Sequence, residues 1–171
     1  CAAQTPEKDN IALGKTATQS SEGYPGSQVG LASNAIDNNT DGDWSRGSVT
    51  YAICNPDPAR EPSSIRPFGN CPWWQLDLGE NYNITEIQIW NRTDSDSEQL
   101  SNFRIWTMPA SGKAEEFSPG TKTYDPGQQY PLIFTNNKVA RYILIEIVNP
   151  KGIQAKDGKL SLAEVKVFGT N

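Results

Sequence analysis

The 171-residue chain contains no histidine, one methionine and only three cysteines. Without histidine, neither a Ser-His-Asp nor a Cys-His nucleophilic arrangement can be assembled, and a His-ligated zinc site is excluded as well. No apolar run approaches the ~18–20 residues that cross a bilayer as a helix. An excess of positive charge is also missing. Lys and Arg number 15 against 20 Asp and Glu, a formal net charge of −5, and nucleic acid or anionic lipid rewards the opposite sign. No fixed-period repeat and no linker-like stretch interrupts the middle of the chain. A carboxylate pair acting on a glycosidic bond is the one hydrolytic route left. The acidic residues, however, sit mostly in Asn/Gly-rich loops or beside lysines, where solvation explains them. The expectation is a protein that is not an enzyme.

Turn formers and short strands are what the chain has instead. Its 14 glycines and 12 prolines are spread throughout, breaking helices and supplying turns. Between them WWQLDLG, ITEIQIWNR, NFRIWTM, YPLIFT, ARYILIEIV and AEVKVFG read as strands. In ITEIQIW, Ile84, Ile87, Ile89 and Trp90 are expected on one apolar face, with slippage at one point. In ARYILIEIV, Tyr142, Leu144 and Glu146 face one way and Ile143, Ile145 and Ile147 the other, as in a strand central to a sandwich. The adjacent Trp73 and Trp74 must point to opposite faces of their strand. One is expected in the core and the other on the outer surface or under the ligand loops, each removing ~150–250 Å² from water. The best helical window, SQVGLASNAID, amounts to a turn or two. The pattern predicts an all-β, antiparallel sandwich. Residues 10–171 are assigned to one domain and residues 1–9 to a polar N-terminal tether.

Cys54 and Cys71 flank a proline-rich insertion, CNPDPAREPSSIRPFGNC, that has no hydrophobic periodicity. A disulfide closing this loop of ~17 residues contributes about 3 kcal/mol in the chain-entropy model; two buried free thiols are the alternative. Cys1 opens the chain and is followed by the polar AAQTPEKDN. A chain that starts on cysteine resembles a bacterial lipoprotein after signal cleavage, with lipid carried on that cysteine. This implies a secreted or cell-surface location, the outer membrane included. A fragment boundary would produce the same first residue.

The densest oxygen cluster is NAIDNNTDGDWSRGS, Asn34 to Ser48. Small polar residues let backbone carbonyls and side-chain oxygens converge on one point, and a hard cation such as Ca²⁺ takes about six to eight oxygen ligands. An Asx-rich series of turns forms from the same composition without metal, and spacing alone does not separate the two. DNNTDGDW does not have EF-hand spacing.

NIALGKTATQSS, SNAIDNNTDGDW, PWWQLDLG, RYILIEI and LSLAEVKVFG follow one another in an order seen in a known group. Together they resemble the fucolectin (F-type lectin) branch of the discoidin, or coagulation factor 5/8 type C, domains, from about Asn10 to Gly169. The resemblance implies a jelly-roll β-sandwich of the galactose-binding type and a non-catalytic, carbohydrate-binding role. It also implies a structural Ca²⁺. Carried over by position, its ligands are the carbonyls of Asn34 and Asn39, a carboxylate oxygen of Asp37, and the hydroxyl and carbonyl of Ser48. The Ala163 carbonyl and the Glu164 carboxylate complete the set from the last strand.

The sugar pocket of fucose-binding members uses a histidine, an Arg-x-Asp element and a further basic residue. Aligned on the flanking motifs, Tyr51 takes the histidine position, the Arg-x-Asp element reads Gln75-Leu76-Asp77, and the later basic position falls near Tyr82. NRTDSDSEQL has serine and aspartate where many members carry adjacent cysteines. On this reading the basic motif is missing and a sugar other than fucose is expected. The Cys54–Cys71 insertion brings Arg60 and Arg66 toward the same end, and neighbouring loops bring Arg46 and Arg92. Arginine suits carboxylate or sulfate, and Trp44 and Tyr51 offer flat faces for a pyranose ring. The expected glycan site is Trp44, Tyr51, Arg60, Arg66 and Gln75, for an acidic or sulfated sugar. The alternative is an adhesion module of the same fold with a protein or lipid ligand, although the polar loops lack the bare hydrophobic spikes of lipid-binding relatives.

Overall fold

The structure is a computed structural model that describes residues 8–21, 27–54, 72–148 and 158–171. Its strands are β1 (Thr16–Gln19), β2 (Ala52–Ile53), β3 (Trp73–Asn91), β4 (Phe103–Met108), β5 (Glu115–Lys122), β6 (Leu132–Ile147), β7 (Lys159–Leu160) and β8 (Leu162–Thr170). A six-stranded antiparallel sheet runs β1-β3-β6-β4-β5 with β8 added to β3, and β2 and β7 form a second, two-stranded sheet. The fold is all-β, as the turn-rich composition and period-two runs imply.

Two long strands organise it. The N-terminal half of β3 pairs with β1 and the C-terminal half with β8, while β6 accompanies β3 along most of its length. The register shifts between Asp77 and Tyr82, around Gly79 at φ +87°, and both halves then feed one core. Trp74, Leu76, Leu78, Ile84, Ile87, Ile89, Ile143, Ile145, Val165 and Val167 all belong to that single buried cluster. Strands whose two ends line the same core must curl round it, which is how a sandwich closes. WWQLDLG and ITEIQIWNR are thus one strand where the sequence suggested two, and so are YPLIFT and ARYILIEIV.

The expected slippage in ITEIQIW is a register shift between Ile84 and Glu86. One extra residue, Thr85, keeps Ile84, Ile87 and Ile89 on the core side. After this bulge the alternation restarts, so Trp90 turns to the opposite face, under the Lys166 ammonium at 5.2 Å from its ring; the grouping of Trp90 with the isoleucines is corrected. The tryptophan pair divides across the sheet. Trp74 is fully buried in the main core and donates its indole N–H to the Ala32 carbonyl at 3.0 Å. Trp73 packs outside it with Trp106 and Leu144. The helical window is reduced to a 3-10 turn, Ala32–Ile36. β1 and β5 carry little apolar pattern because they lie at the sheet edges, where a proline such as Pro119 of β5 is tolerated.

Candidate functional site

The loop after the Ala32–Ile36 turn is built from its own side chains. Asp37 Oδ1 accepts the Asn39 N–H at 2.8 Å, Asn39 Oδ1 accepts the Asp41 N–H at 3.0 Å, and Asp41 Oδ1 accepts the Asp43 N–H at 3.0 Å. Each is a side chain bonding its own backbone two residues on, the Asx turn that short polar residues favour. Asn38 has φ +66°, and its N–H donates to Glu164 Oε1 at 3.2 Å. The loop is therefore tied to β8 at the far end of the sequence. Its other end is held by reciprocal bonds, Thr50 N–H to the Leu162 carbonyl at 2.8 Å and Leu162 N–H to the Thr50 hydroxyl at 2.9 Å.

Glu164 is fully buried. Burial, and then the charge of neighbouring Asp37, push its carboxyl up to about 8. Its Oε2 has no hydrogen-bond partner among the described residues. A buried carboxyl group set against the charge of an exposed one is unfavourable unless something positive compensates. Of the six positions expected to hold calcium, Asp37 and Glu164 are thus brought together, Asn39 closes the turn on Asp37, and Ala163 precedes Glu164 on β8. Asn34 and Ser48 brace the loop: the Asn34 amide donates to the Gly47 and Val49 carbonyls at 3.1 and 3.3 Å, and the Ser48 hydroxyl donates to the Asp41 carbonyl. The described residues contain no cluster of three or more His, Cys, Asp or Glu. Any ion here takes two carboxylates and otherwise carbonyl, hydroxyl and water oxygens. An oxygen-only set with an orphaned carboxylate oxygen fits a hard cation.

The same loop carries the aromatic residues. Asp43 caps the 3-10 turn Trp44–Arg46, accepting the Ser45 N–H at 2.9 Å. The Trp44 and Tyr51 rings lie 5.7 Å apart at 53°. The Gln19 amide clamps the backbone beneath them, donating to the carbonyls of Gly30 at 2.9 Å and Tyr51 at 3.0 Å. Over Trp44, at 5.0 Å from its ring centre, sits the guanidinium of Arg92. Arg92 is buried, and it pairs with Asp94 at 2.6 Å and Asp96 at 3.1 Å. Asp94 Oδ2 accepts the Trp44 N–H at 3.0 Å. Burial raises the Asp94 carboxyl, but hydrogen bonds from Arg92, Asp96 and Trp44 outweigh that and hold it below the usual range.

The structure separates Gln75 from this group. Gln75 is cross-strand from Thr18 and Leu144, on the sheet face opposite Trp74 and Gln19. Asp77 is held bidentately by Arg141 at 2.7 and 2.9 Å, and Tyr82 lies under Lys15 at 5.4 Å. A second Arg-x-Asp sequence, Arg92-Thr93-Asp94, just past the end of β3, is the one whose arginine and aspartate contact Trp44. The signal for it was present in NRTD. Arg46 is exposed and pairs with Asp41 at 3.1 Å. Cys54 is disulfide-bonded. Cys1, Arg60, Arg66 and Cys71 lie outside the described residues.

A curled antiparallel sandwich with polar loops and an aromatic-arginine group at one end is the build of a carbohydrate-binding domain. Residues 34–145 match the family described as NedA-like, galactose-binding domain of the F5/8 type C group. Fucolectin-6 of Anguilla japonica is 33% identical over 162 residues, covering 94% of this chain and 75% of that protein. Fucolectin-1 of the same organism is 34% identical over 99 residues, covering 57% of this chain and 48% of its own length. The chain spans about half the length of several of the fucolectins it matches. Among solved structures, the lectin domain of Lectinolysin complexed with Lewis B antigen superposes with a TM-score of 0.72 at 32% identity, covering 96% of this chain and 99% of that one. A Streptococcus pneumoniae fucose binding module gives 0.71 at 28%, covering 97% and 99%. The chain belongs to the F5/8 type C galactose-binding domain family, in its F-type lectin branch.

Proposed function

We propose that the chain is a non-catalytic lectin module that binds a fucose-containing glycan through Trp44, Tyr51, Arg92 and Asp94. The observation that carries this reading is the position of Arg92, buried between the Trp44 ring and the Asp94 carboxylate. A guanidinium so fixed loses little entropy on binding and keeps N–H donors for ring hydroxyls beyond those engaged by Asp94 and Asp96. Trp44 and Tyr51 would supply apolar faces for the C–H side of a pyranose, with Tyr51 at the position that the family resemblance gives to a histidine. The printed ligands of the similar structures, Lewis B and fucose, are the first candidates. An acidic or sulfated sugar was expected from Arg60 and Arg66. Within the described residues the one buried arginine is already paired with the carboxylates of Asp94 and Asp96, which favours a neutral sugar.

Calcium belongs to the same proposal. Asp37 and Glu164 would hold it with carbonyl and hydroxyl oxygens from Asn34, Asn39, Ser48 and Ala163. The ion would supply the positive charge that two facing carboxylates lack and so stiffen the loop that positions Trp44. A Cys54–Cys71 disulfide would restrain the insertion beside the site. No described helix is long and apolar enough to cross a membrane. We place the module outside the cell or on its surface, and mass spectrometry of the native chain tests for lipid on Cys1. The deciding experiment is a glycan array, run with calcium and with chelator, on the wild type and on Arg92→Ala. Saturable binding to fucosylated glycans that the substitution removes supports the reading. Complete absence of glycan binding overturns it in favour of an adhesion module with a protein or lipid ligand.

A further inference from the structure

The outer face of the β3–β8 pair carries the cross-strand neighbours Glu86–Phe168, Gln88–Lys166 and Trp90–Glu164. Residues two apart share a face, so this ladder faces away from Ile87, Ile89, Val165 and Val167, which line the core. A groove of about 760 Å³ lies over it, lined as well by Lys8 to Asn10, Leu13 and Asn38. That volume is within the range of roughly 300–1,000 Å³ typical of small-ligand sites. The groove shares no residue with Trp44, Tyr51, Arg92 or Asp94.

Its chemistry is mixed and electrically balanced. Glu86 accepts the Lys8 ammonium at 2.9 Å and the Gln88 amide at 2.6 Å. Lys166 covers the Trp90 ring at 5.2 Å and makes no salt bridge among the described residues, with Asp9 on the same wall. Asn10 uses its Oδ1 for the Ala12 and Val167 N–H groups at 3.1 and 3.0 Å, while its buried Nδ2 finds no acceptor among the described residues. Lys8 and Lys166 are matched in number by Asp9 and Glu86 in the lining, so the groove offers no net charge to a polyanion. Its apolar surface is broken by amides and charges, unlike the continuous apolar centre of a protein interface. A lipid surface would want several exposed hydrophobic anchors or a basic cluster, and this face offers one exposed leucine, Leu13, and two lysines matched in number by Asp9 and Glu86. An aromatic ring interleaved with carboxylate, amide and ammonium groups matches vicinal hydroxyls on a ring that has an apolar C–H face.

We infer that this groove is a second carbohydrate-binding site, taking a segment of a neutral oligosaccharide, with Trp90 as the stacking surface and Glu86, Gln88, Asn38 and Lys166 as hydroxyl partners. Lys166 has a flexible stem; it shields the indole in the free protein and swings aside to donate to a bound hydroxyl. The inference does not depend on the loop-end site. The test is an NMR titration of the ¹⁵N-labelled chain with galactose, Lewis B oligosaccharide and, as an anionic comparison, chondroitin sulfate. The indole N–H of Trp90 and the side-chain amide of Gln88 are expected to shift with a neutral probe, at millimolar affinity. Gln88→Ala, a surface change that leaves folding intact, should weaken that response by at least roughly tenfold without moving the response at Trp44. Arg92→Ala should do the reverse. Shifts at Trp90 with none at Trp44 would sustain the groove and sink the loop-end proposal. Trp90 and Gln88 signals that stay still with both neutral probes, or that move only with chondroitin sulfate, overturn the inference, as does a Trp90 response untouched by Gln88→Ala.

Discussion

The Arg92 guanidinium lies 5.0 Å from the centre of the Trp44 ring, and the carboxylate that pairs with it, Asp94, also receives the Trp44 N–H. Removing Arg92 therefore does two things at once. It leaves Asp94 and Asp96 facing each other without their cation, and it unroofs the aromatic face. Arg92→Ala is expected to cost about 2 kcal/mol of stability, the size of a lost charge-assisted hydrogen bond. Glycan affinity should fall at least roughly tenfold. Arg92→Lys keeps the charge but not the planar fork, and should recover stability more fully than binding. Urea unfolding and calorimetry with Lewis B oligosaccharide separate the two effects.

Glu164 and Asp37 make the calcium proposal measurable without any sugar. An ion that binds only the folded chain stabilises it by mass action, about 2.7 kcal/mol at a hundredfold excess over its dissociation constant. Thermal unfolding of the wild type should therefore shift upward with added calcium and downward with chelator. Glu164→Gln keeps an oxygen for the Asn38 N–H but removes one of two facing carboxylates. In chelator it should be at least as stable as the wild type, and calcium should leave it unmoved. A wild type indifferent to calcium ends the proposal.

Which parts of this arrangement are visible in the sequence depends on how local their causes are. The alternation in ITEIQIW and ARYILIEIV survives because each residue chooses its face by backbone geometry alone, and even the slip at Thr85 is legible there. The joining of β3 through Leu78–Tyr82 is not, because Gly79, Glu80 and Asn81 read as a turn; they fall in the register shift between the pairs Asp77–Tyr142 and Tyr82–Ala140, and only the pairing with β6 on both sides of them makes β3 one strand. The meeting of Asp37 and Glu164 was accessible through the family resemblance; nothing in their local spacing announces it. Gln75 and Arg92 show the limit most directly. Both begin a stretch that reads or nearly reads Arg-x-Asp, and the choice between them turns on which end of β3 reaches Trp44. That is a property of sheet register, which composition does not carry.

Away from the loops, Asp77 gives a pH dependence with a definite sign. Its carboxyl is held below the ordinary value of 3.8, first by the hydrogen bond from Arg141, against burial, and then by the Gly79 N–H and nearby positive charge. A carboxylate with a depressed folded-state pKa adds stability that is fully present above its unfolded value. That contribution is lost as the pH falls through the folded value. Asp77→Asn should therefore be less stable than the wild type at neutral pH, and the gap should narrow as the pH falls below the ordinary value of 3.8. Guanidinium unfolding of both proteins across that range measures it. A gap that does not change with pH would show that the pair contributes through packing rather than charge.

Gly30 and Gly47 provide a matched pair for testing how the aromatic site is held. Both sit at positive φ, +78° and +77°, so alanine at either position costs roughly 1–2 kcal/mol through the left-handed backbone alone. Their surroundings differ. A Cβ on Gly47 meets nothing within 4 Å, whereas one on Gly30 would lie 2.6 Å from Tyr51 Cβ and 3.1 Å from Trp44 Cη2. The backbone term is common to both and cancels in the comparison. What remains for Gly30→Ala is the displacement of Tyr51 and Trp44 from each other and from Arg92. Gly47→Ala should lose stability and keep its glycan affinity. Gly30→Ala should lose more stability and, at concentrations where it is folded, bind at least roughly tenfold more weakly. Equal affinities in the two variants would mean that the Trp44–Tyr51 pair does not touch the ligand.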